Sequence, residues 1–142
     1  ARDLLDQFDG LTGLMRVDRA RLVAWPGIGD AKYAQLRAGL ELARRQALQA
    51  LCASDVLSSP EETLRFLQYH LGSHEREVFC CIFLDSQHQV LRCDDLFFGT
   101  LDGAAVYPRE VATRALQYRA AAVIFAHNHP SGVAEPSSAD RR

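Results

Sequence analysis

An apolar run, Ala120-Ala-Ala-Val-Ile-Phe-Ala126, leads without a break into His127-Asn-His129-Pro-Ser-Gly132. A short continuous apolar stretch bounded by turn residues predicts a buried β-strand. That strand would deliver two histidines to its exposed end. Residues two apart in an extended segment project to one side, a workable geometry for two ligands on one ion. Past His129 come seven residues, then Ser137, two more residues, and Asp140. Two imidazoles and a carboxylate are a familiar zinc set that leaves a fourth position for water. Asp140 would return to His127 and His129 across a Pro/Gly-containing loop. Ser137-x-x-Asp140 also reads as a capping box, with serine as N-cap and the acid at the third helical position.

Upstream, Val78-Phe-Cys-Cys-Ile-Phe-Leu84 predicts a strong strand. Asp85-Ser-Gln-His88 reads as a hairpin turn into a strand over Gln89–Cys93, and a third short strand is expected over Leu96–Phe98. Pro108 opens a helix to Tyr118 with Val111, Ala115 and Tyr118 inward. Another helix starts at Ser59-Pro60-Glu61-Glu62, buries Leu64, Leu67 and Leu71, and stops at Gly72. Helices mixed with strands in this order predict an α/β layout.

The first fifty residues read as all-helical. Leu4, Leu5 and Phe8 have helical spacing that Asp9-Gly10 ends. Leu11 and Leu14 extend a short apolar contact. Asp18 is expected to cap a helix over 19–24, and Asp30 a long one from Ala31 to about Leu51 with Ala34, Leu40, Ala43 and Ala47 inward. Between them lies Trp25-Pro26-Gly27-Ile28-Gly29. Polar, turn-rich Ala53–Pro60 separates the two halves. The expected division is a small domain over 1–53, a linker over 54–59 and a second domain over 60–142.

Charge mildly supports that division. Residues 1–52 carry eight basic and six acidic side chains, a balance of +2, against eight and twelve in the remainder, a balance of -4. A polyanion would therefore meet the N-terminal part. The overall charge of -2 excludes a strong general attraction to nucleic acid or to a membrane. Cys52, Cys80, Cys81 and Cys93 form no C-x-x-C pair. They read as small buried hydrophobes in a reducing compartment, neither disulfides nor zinc ligands. No apolar stretch approaches the roughly 18 residues of a membrane span, and no signal peptide is legible, so the cytoplasm is expected. His70, His74 and His88 read as surface residues. The abrupt close at Arg141-Arg142, where a helix is beginning, points to a piece of a longer protein.

Two resemblances rest on these residues. Leu22, Pro26-Gly27-Ile28-Gly29, Lys32 and Leu36 resemble a helix-hairpin-helix module, and Phe8-Asp-Gly-Leu11 resembles the degenerate first hairpin of a tandem pair. That implies DNA contact through Gly27, Gly29 and Lys32, sequence-independent and sensitive to salt, with Arg37 and Arg44 adding charge. These modules also serve protein contacts. Second, His-x-His-x7-Ser-x2-Asp resembles the JAMM (JAB/MPN) metalloprotease-like family. Glu77-Val-Phe, Phe-Leu-Asp85, Gly99-Thr100, Pro108-Arg-Glu-Val111 and Ala126-His-Asn-His-Pro-Ser-Gly132 resemble RadC proteins more closely still. RadC proteins join a helix-hairpin-helix module to a JAMM-like domain.

This likeness implies a small all-α domain before a mixed α/β, α+β JAMM-like sandwich of cytidine-deaminase-like kind. It also implies zinc held by His127, His129 and Asp140, Glu77 as general base and Ser137 as oxyanion donor. Glu75 is the rival base; direct attachment to Val78-Phe79 favours Glu77. Asn128 is expected to point away from the metal. The implied reaction is hydrolysis of an amide or isopeptide bond in an unknown protein or peptide. The alternative is a DNA-associated binding protein with a structural or vestigial metal site. The letters His-Asn-His do not make an HNH nuclease, whose residues are dispersed. A deaminase is disfavoured, since the sequence has no Pro-Cys-x-x-Cys partner.

Overall fold

The computed structural model describes residues 2–53, 56, 60–72, 74–99, 106–131 and 135. Ser137 and Asp140, like the linker serines, lie outside the described residues.

Four helices come first: α1 (Arg2–Gln7), α2 (Gly10–Arg16), α3 (Arg19–Val23) and α4 (Asp30–Cys52). Asp9 and Gly10 stand at φ 56 and 79, the left-handed backbone that ends α1 and starts α2. Asp18 caps α3 as its sequence position predicts, its carboxylate accepting from the Arg21 amide at 2.8 Å. A cap of this kind contributes about 1 kcal/mol. Asp30 does not cap α4. The N-cap is Gly29, and Asp30 is the first helical residue, ion-paired with Arg19. Phe8, Val17 and Leu22 are buried together, with Trp25, Ile28 and Tyr33 packed around them. Tyr33 therefore takes the inward place expected of Ala34, which is exposed.

The far end of α4 reaches a second core. Ala47 and Leu51 are buried with Phe66 and Leu71 of α5 (Pro60–Leu71) and with Val78, Cys80, Ile82 and Leu84. Within α5 the buried face is Thr63, Phe66 and Leu71, and Leu64 is 58% exposed. The expected leucine stripe is thus rotated toward Phe66. An aromatic ring buries more apolar area than a leucine, and it sets the face that turns inward.

The sheet has order β2-β1-β3, both pairs antiparallel: β1 (Val78–Leu84), β2 (Val90–Phe98) and β3 (Ala122–His127). The two short runs expected over 89–93 and 96–98 are one strand. Register shifts in the pairing with β1 absorb Leu91 and Leu96 as extra residues on β2, and a bulge of this kind carries a strand past an insertion without ending it. β1 is central and almost wholly buried. β3 is half-buried, with Phe125 exposed, because among the described residues it pairs on one side only. The buried strand expected from its apolar run is in this sense an outer one.

Alternation along β1 sorts the layers. Val78, Cys80, Ile82 and Leu84 face α4 and α5, whereas Cys81 and Phe83 face Val111 and Ala115 of α6 (Pro108–Tyr118). Helices cover both faces of the antiparallel sheet. No helix among the described residues is long and apolar enough to cross a membrane.

Candidate metal centre

Register places the chemistry. Phe79 is the partner of His127, so both side chains leave the same face of the sheet. It is the face that α6 covers. His129 lies two residues past His127, and Glu77 immediately before β1, beside this end of the sheet. The imidazoles of His127 and His129 meet there: their Nε2 atoms are 2.9 Å apart and their ring centroids 4.8 Å. The two rings are in direct hydrogen-bond contact, and a small opening would let one ion take both nitrogens.

Asn128, between the two histidines, bonds to the segment that leads into β1. Its Oδ1 accepts from the Val78 amide at 2.8 Å, and its Nδ2 donates to the Arg76 carbonyl at 3.0 Å. One side chain thereby grips the residue before Glu77 and the residue after it. The Glu77 carbonyl accepts from the Gly99 amide at 2.8 Å. Glu77, half-buried, is consequently held from β2 and from the histidine loop at once. Glu75 is exposed; Asn128 Nδ2 also reaches the His74 carbonyl at 3.5 Å, so what sets Glu77 apart is its burial and the Gly99 amide. The α2 end joins in, since Arg16 donates to the Gly72 carbonyl at 2.8 Å and to the Pro130 carbonyl at 3.2 Å.

The N-terminal candidates lie elsewhere. Gly27 has φ 82, a left-handed conformation that disfavours any side chain, and a Cβ built there or on Gly29 meets nothing within 4 Å. The Lys32 ammonium donates to the Gly27 carbonyl at 2.7 Å and braces the turn. Arg37 donates to the Met15 carbonyl at 2.9 Å, and Arg44 pairs with Glu41. A cleft of about 600 Å³ opens between α2 and α5 past Met15, Arg16, Arg65, Gln68 and Tyr69, away from both histidines.

On the other face of the sheet the structure assembles a cluster that sequence reading missed. His70, Cys80 and Cys93 place one ligand atom each within 4.8 Å of one another, the one such trio found among the described residues. The Cys80 and Cys93 sulfurs are 3.3 Å apart, and His70 Nε2 lies 2.7 Å from Asp95 Oδ1. His70 is not a surface residue: its side chain is 13% exposed. Burial alone would depress the His70 pKa, but the hydrogen bond and charge of Asp95 outweigh it and raise it. Asp95 is lowered in turn; its burial opposes this, but the contact with His70 and the charges of His70, His74 and Arg44 prevail. The sulfur contact pushes the Cys80 thiol up and Cys93 down. Burial lifts Cys81 to about 12, so its proton stays on at neutral pH. Cys52, expected to be buried, is exposed. The legible signal was Cys93-x-Asp95, two residues on one face of a strand. Their meeting with His70 needed the fold.

Comparison with known proteins follows these lines. A family model described as RadC-like JAB domain matches residues 57–142. The chain belongs to the RadC family. A UPF0758 protein of Marinobacter nauticus is 56% identical over 140 residues, spanning 99% of this chain and 62% of its own length. UPF0758 proteins of Thioalkalivibrio sulfidiphilus and Halorhodospira halophila are 52% and 54% identical, across 63% and 62% of their lengths. This chain thus spans about three-fifths of the RadC relatives it matches. The JAB assignment agrees with the antiparallel sheet and its helices, and it covers His127, His129, Ser137 and Asp140 together.

Proposed function

We propose that this RadC chain carries the centre of a zinc-dependent JAMM-type hydrolase that cleaves amide or isopeptide bonds. The observation that carries the reading is the convergence of His127 and His129 at 2.9 Å, beside a Glu77 segment clamped by Asn128. The donor set fits zinc: two borderline nitrogens already face each other, and the family signature supplies Asp140 as a third, anionic ligand. Held by these residues, zinc would supply a water whose pKa is lowered toward about 7. Glu77 takes the water proton and returns it to the leaving amine. Ser137 donates a hydrogen bond to the oxyanion that develops on the substrate carbonyl. The fold around these residues is read as the JAMM-like sandwich of a cytoplasmic protein.

A peptide-library cleavage screen with the zinc-loaded protein tests this. Native protein should cut a subset of the library, while His127→Ala should lose cleavage and the zinc held by the histidine pair. Inactivity of the native protein with zinc bound in full would overturn the hydrolase reading and favour the binding one.

A second reading has its own support at the N-terminal end. The hairpin between α3 and α4 combines left-handed Gly27, an α4 N-terminus without a side-chain cap, and an exposed Lys32. We infer a helix-hairpin-helix domain over 1–53 that binds the DNA backbone without reading sequence. A gel shift at low salt should weaken steeply as salt rises and weaken again in Lys32→Glu. No shift at low salt rules this second reading out.

A further inference from the structure

The geometry points to a second metal site, formed by the Cys80 and Cys93 thiolates and the His70 ring, which binds a thiolate-seeking ion of the zinc class and staples α5 to β1 and β2. It lies on the α5 face of the sheet, opposite His127 and His129, and it does not depend on the hydrolase reading.

Three observations carry it. Asp95, as a carboxylate, can only accept, so the 2.7 Å contact puts the imidazole proton on Nε2. In the neutral ring Nδ1 is then a bare lone pair. That Nδ1 is buried and has no hydrogen-bond partner among the described residues. A buried polar atom left without a partner costs about 1–3 kcal/mol, and it calls for an occupant.

The thiols are the second observation. Two sulfurs about 2.3 Å from one tetrahedral ion stand about 3.8 Å apart, and the Cys80–Cys93 separation of 3.3 Å needs only a small opening. A disulfide is the competing use of the pair, and the register argues against it. Cys80 is the partner of Asp95 and Ile82 of Cys93, so the cysteines are diagonal neighbours. Diagonal Cα atoms lie about 7–8 Å apart, beyond the roughly 4.4–6.8 Å that a disulfide spans.

The third is Asp95 itself. A carboxylate on the outer nitrogen of a ligating histidine fixes the tautomer, orients the ring and raises its basicity. Phe66 stacks on His70 with centroids 5.2 Å apart and holds the ring plane. Binding displaces one proton from each thiol to solvent. The two thiolates then neutralise a divalent cation inside the core, leaving the fourth position to water on the side where Cys93 is half-exposed.

Cobalt(II) is the probe, added to the reduced protein in place of zinc. Thiolate ligation gives an intense near-ultraviolet sulfur-to-cobalt charge-transfer band, which a site of histidines and aspartate cannot give. The band is expected in the native protein and in His127→Ala, and it should be bleached by zinc. It should vanish in Cys93→Ala, which keeps Cys52 and Cys81 as controls for adventitious thiols. In His70→Gln cobalt affinity should fall at least about tenfold. Circular dichroism establishes that each variant is folded. Because Cys93 is only half-buried, Cys93→Ala keeps the test informative even if Cys80→Ser unfolds. Absence of the band from reduced native protein, or its survival in folded Cys93→Ala, overturns the proposal. So does a Cys80–Cys93 disulfide that re-forms in air while zinc is present.

Discussion

Glu77→Gln should keep the zinc content of the native protein while lowering the cleavage rate about 10²- to 10⁴-fold. The substitution preserves the size of the side chain and its capacity to accept a hydrogen bond. It removes only the ability to take a proton, which is what a general base contributes. Zinc content stays because the proposed ligands are His127, His129 and Asp140, with Glu77 outside the set. Metal analysis and initial rates on a peptide from the library, measured side by side, separate the two roles. If Glu77→Gln strips the zinc, Glu77 is a ligand and the proton carrier lies elsewhere. Glu75→Gln is the control. Glu75 is exposed and its carbonyl is not the one that the Gly99 amide holds, so its removal should leave the rate near native.

Asn128→Ala should act on the same chemistry from a residue that touches no substrate. It deletes the acceptor for the Val78 amide and the donor to the Arg76 carbonyl. The Val78 side chain is buried, and an amide left there without an acceptor destabilises the strand end by about 1–3 kcal/mol. A positioning contact of this kind typically carries about 10- to 100-fold in activity or metal affinity. The distinguishing readout is local: amide hydrogen exchange at Val78 should accelerate while exchange at Ile82, in the middle of β1, is unchanged. Asn128→Asp keeps an acceptor for the Val78 amide but cannot donate to Arg76. It should recover Val78 protection in part, with less of the activity. Exchange at Val78 that is the same in Asn128→Ala as in the native protein would show that the clamp does not position Glu77.

These outcomes bear on why a histidine pair alone is a weak sign of a metal centre. His-x-His puts two rings on one side of any extended segment, and that is local geometry. What the fold adds is the antiparallel pairing of β3 with β1, which brings Phe79 opposite His127 and with it Glu77, about fifty positions upstream in the chain. Asn128, between the two histidines, ties that upstream segment down. One tripeptide therefore holds both the histidine pair and the contact to the start of β1.

Much of the fold was legible because its signals are local. The span of β1, Pro108 at the start of α6 and the Asp18 cap all follow from residues within a turn or two of one another. The misreadings have a common cause in packing. Leu64 is exposed because Phe66 claims the inward face of α5. β2 continues through Asp94 and Asp95, which looked like a break, because they pair with Cys81 and Cys80 of β1. His70, which reads as a surface residue at the end of a helix, is buried because α5 lies across the face from which Cys80, Cys93 and Asp95 project.

By itself the sequence determined which side chains stand two apart, where helices begin and stop, and the family signature that ends in Ser137 and Asp140. Those properties depend on covalent spacing and on short-range backbone preference, both written in the order of residues. Only the tertiary structure decided that the start of β1 lies beside the end of β3, and that His70 meets two cysteines on the α5 face of the sheet. Such meetings depend on strand register and on which face each helix buries, and both are set by long-range packing.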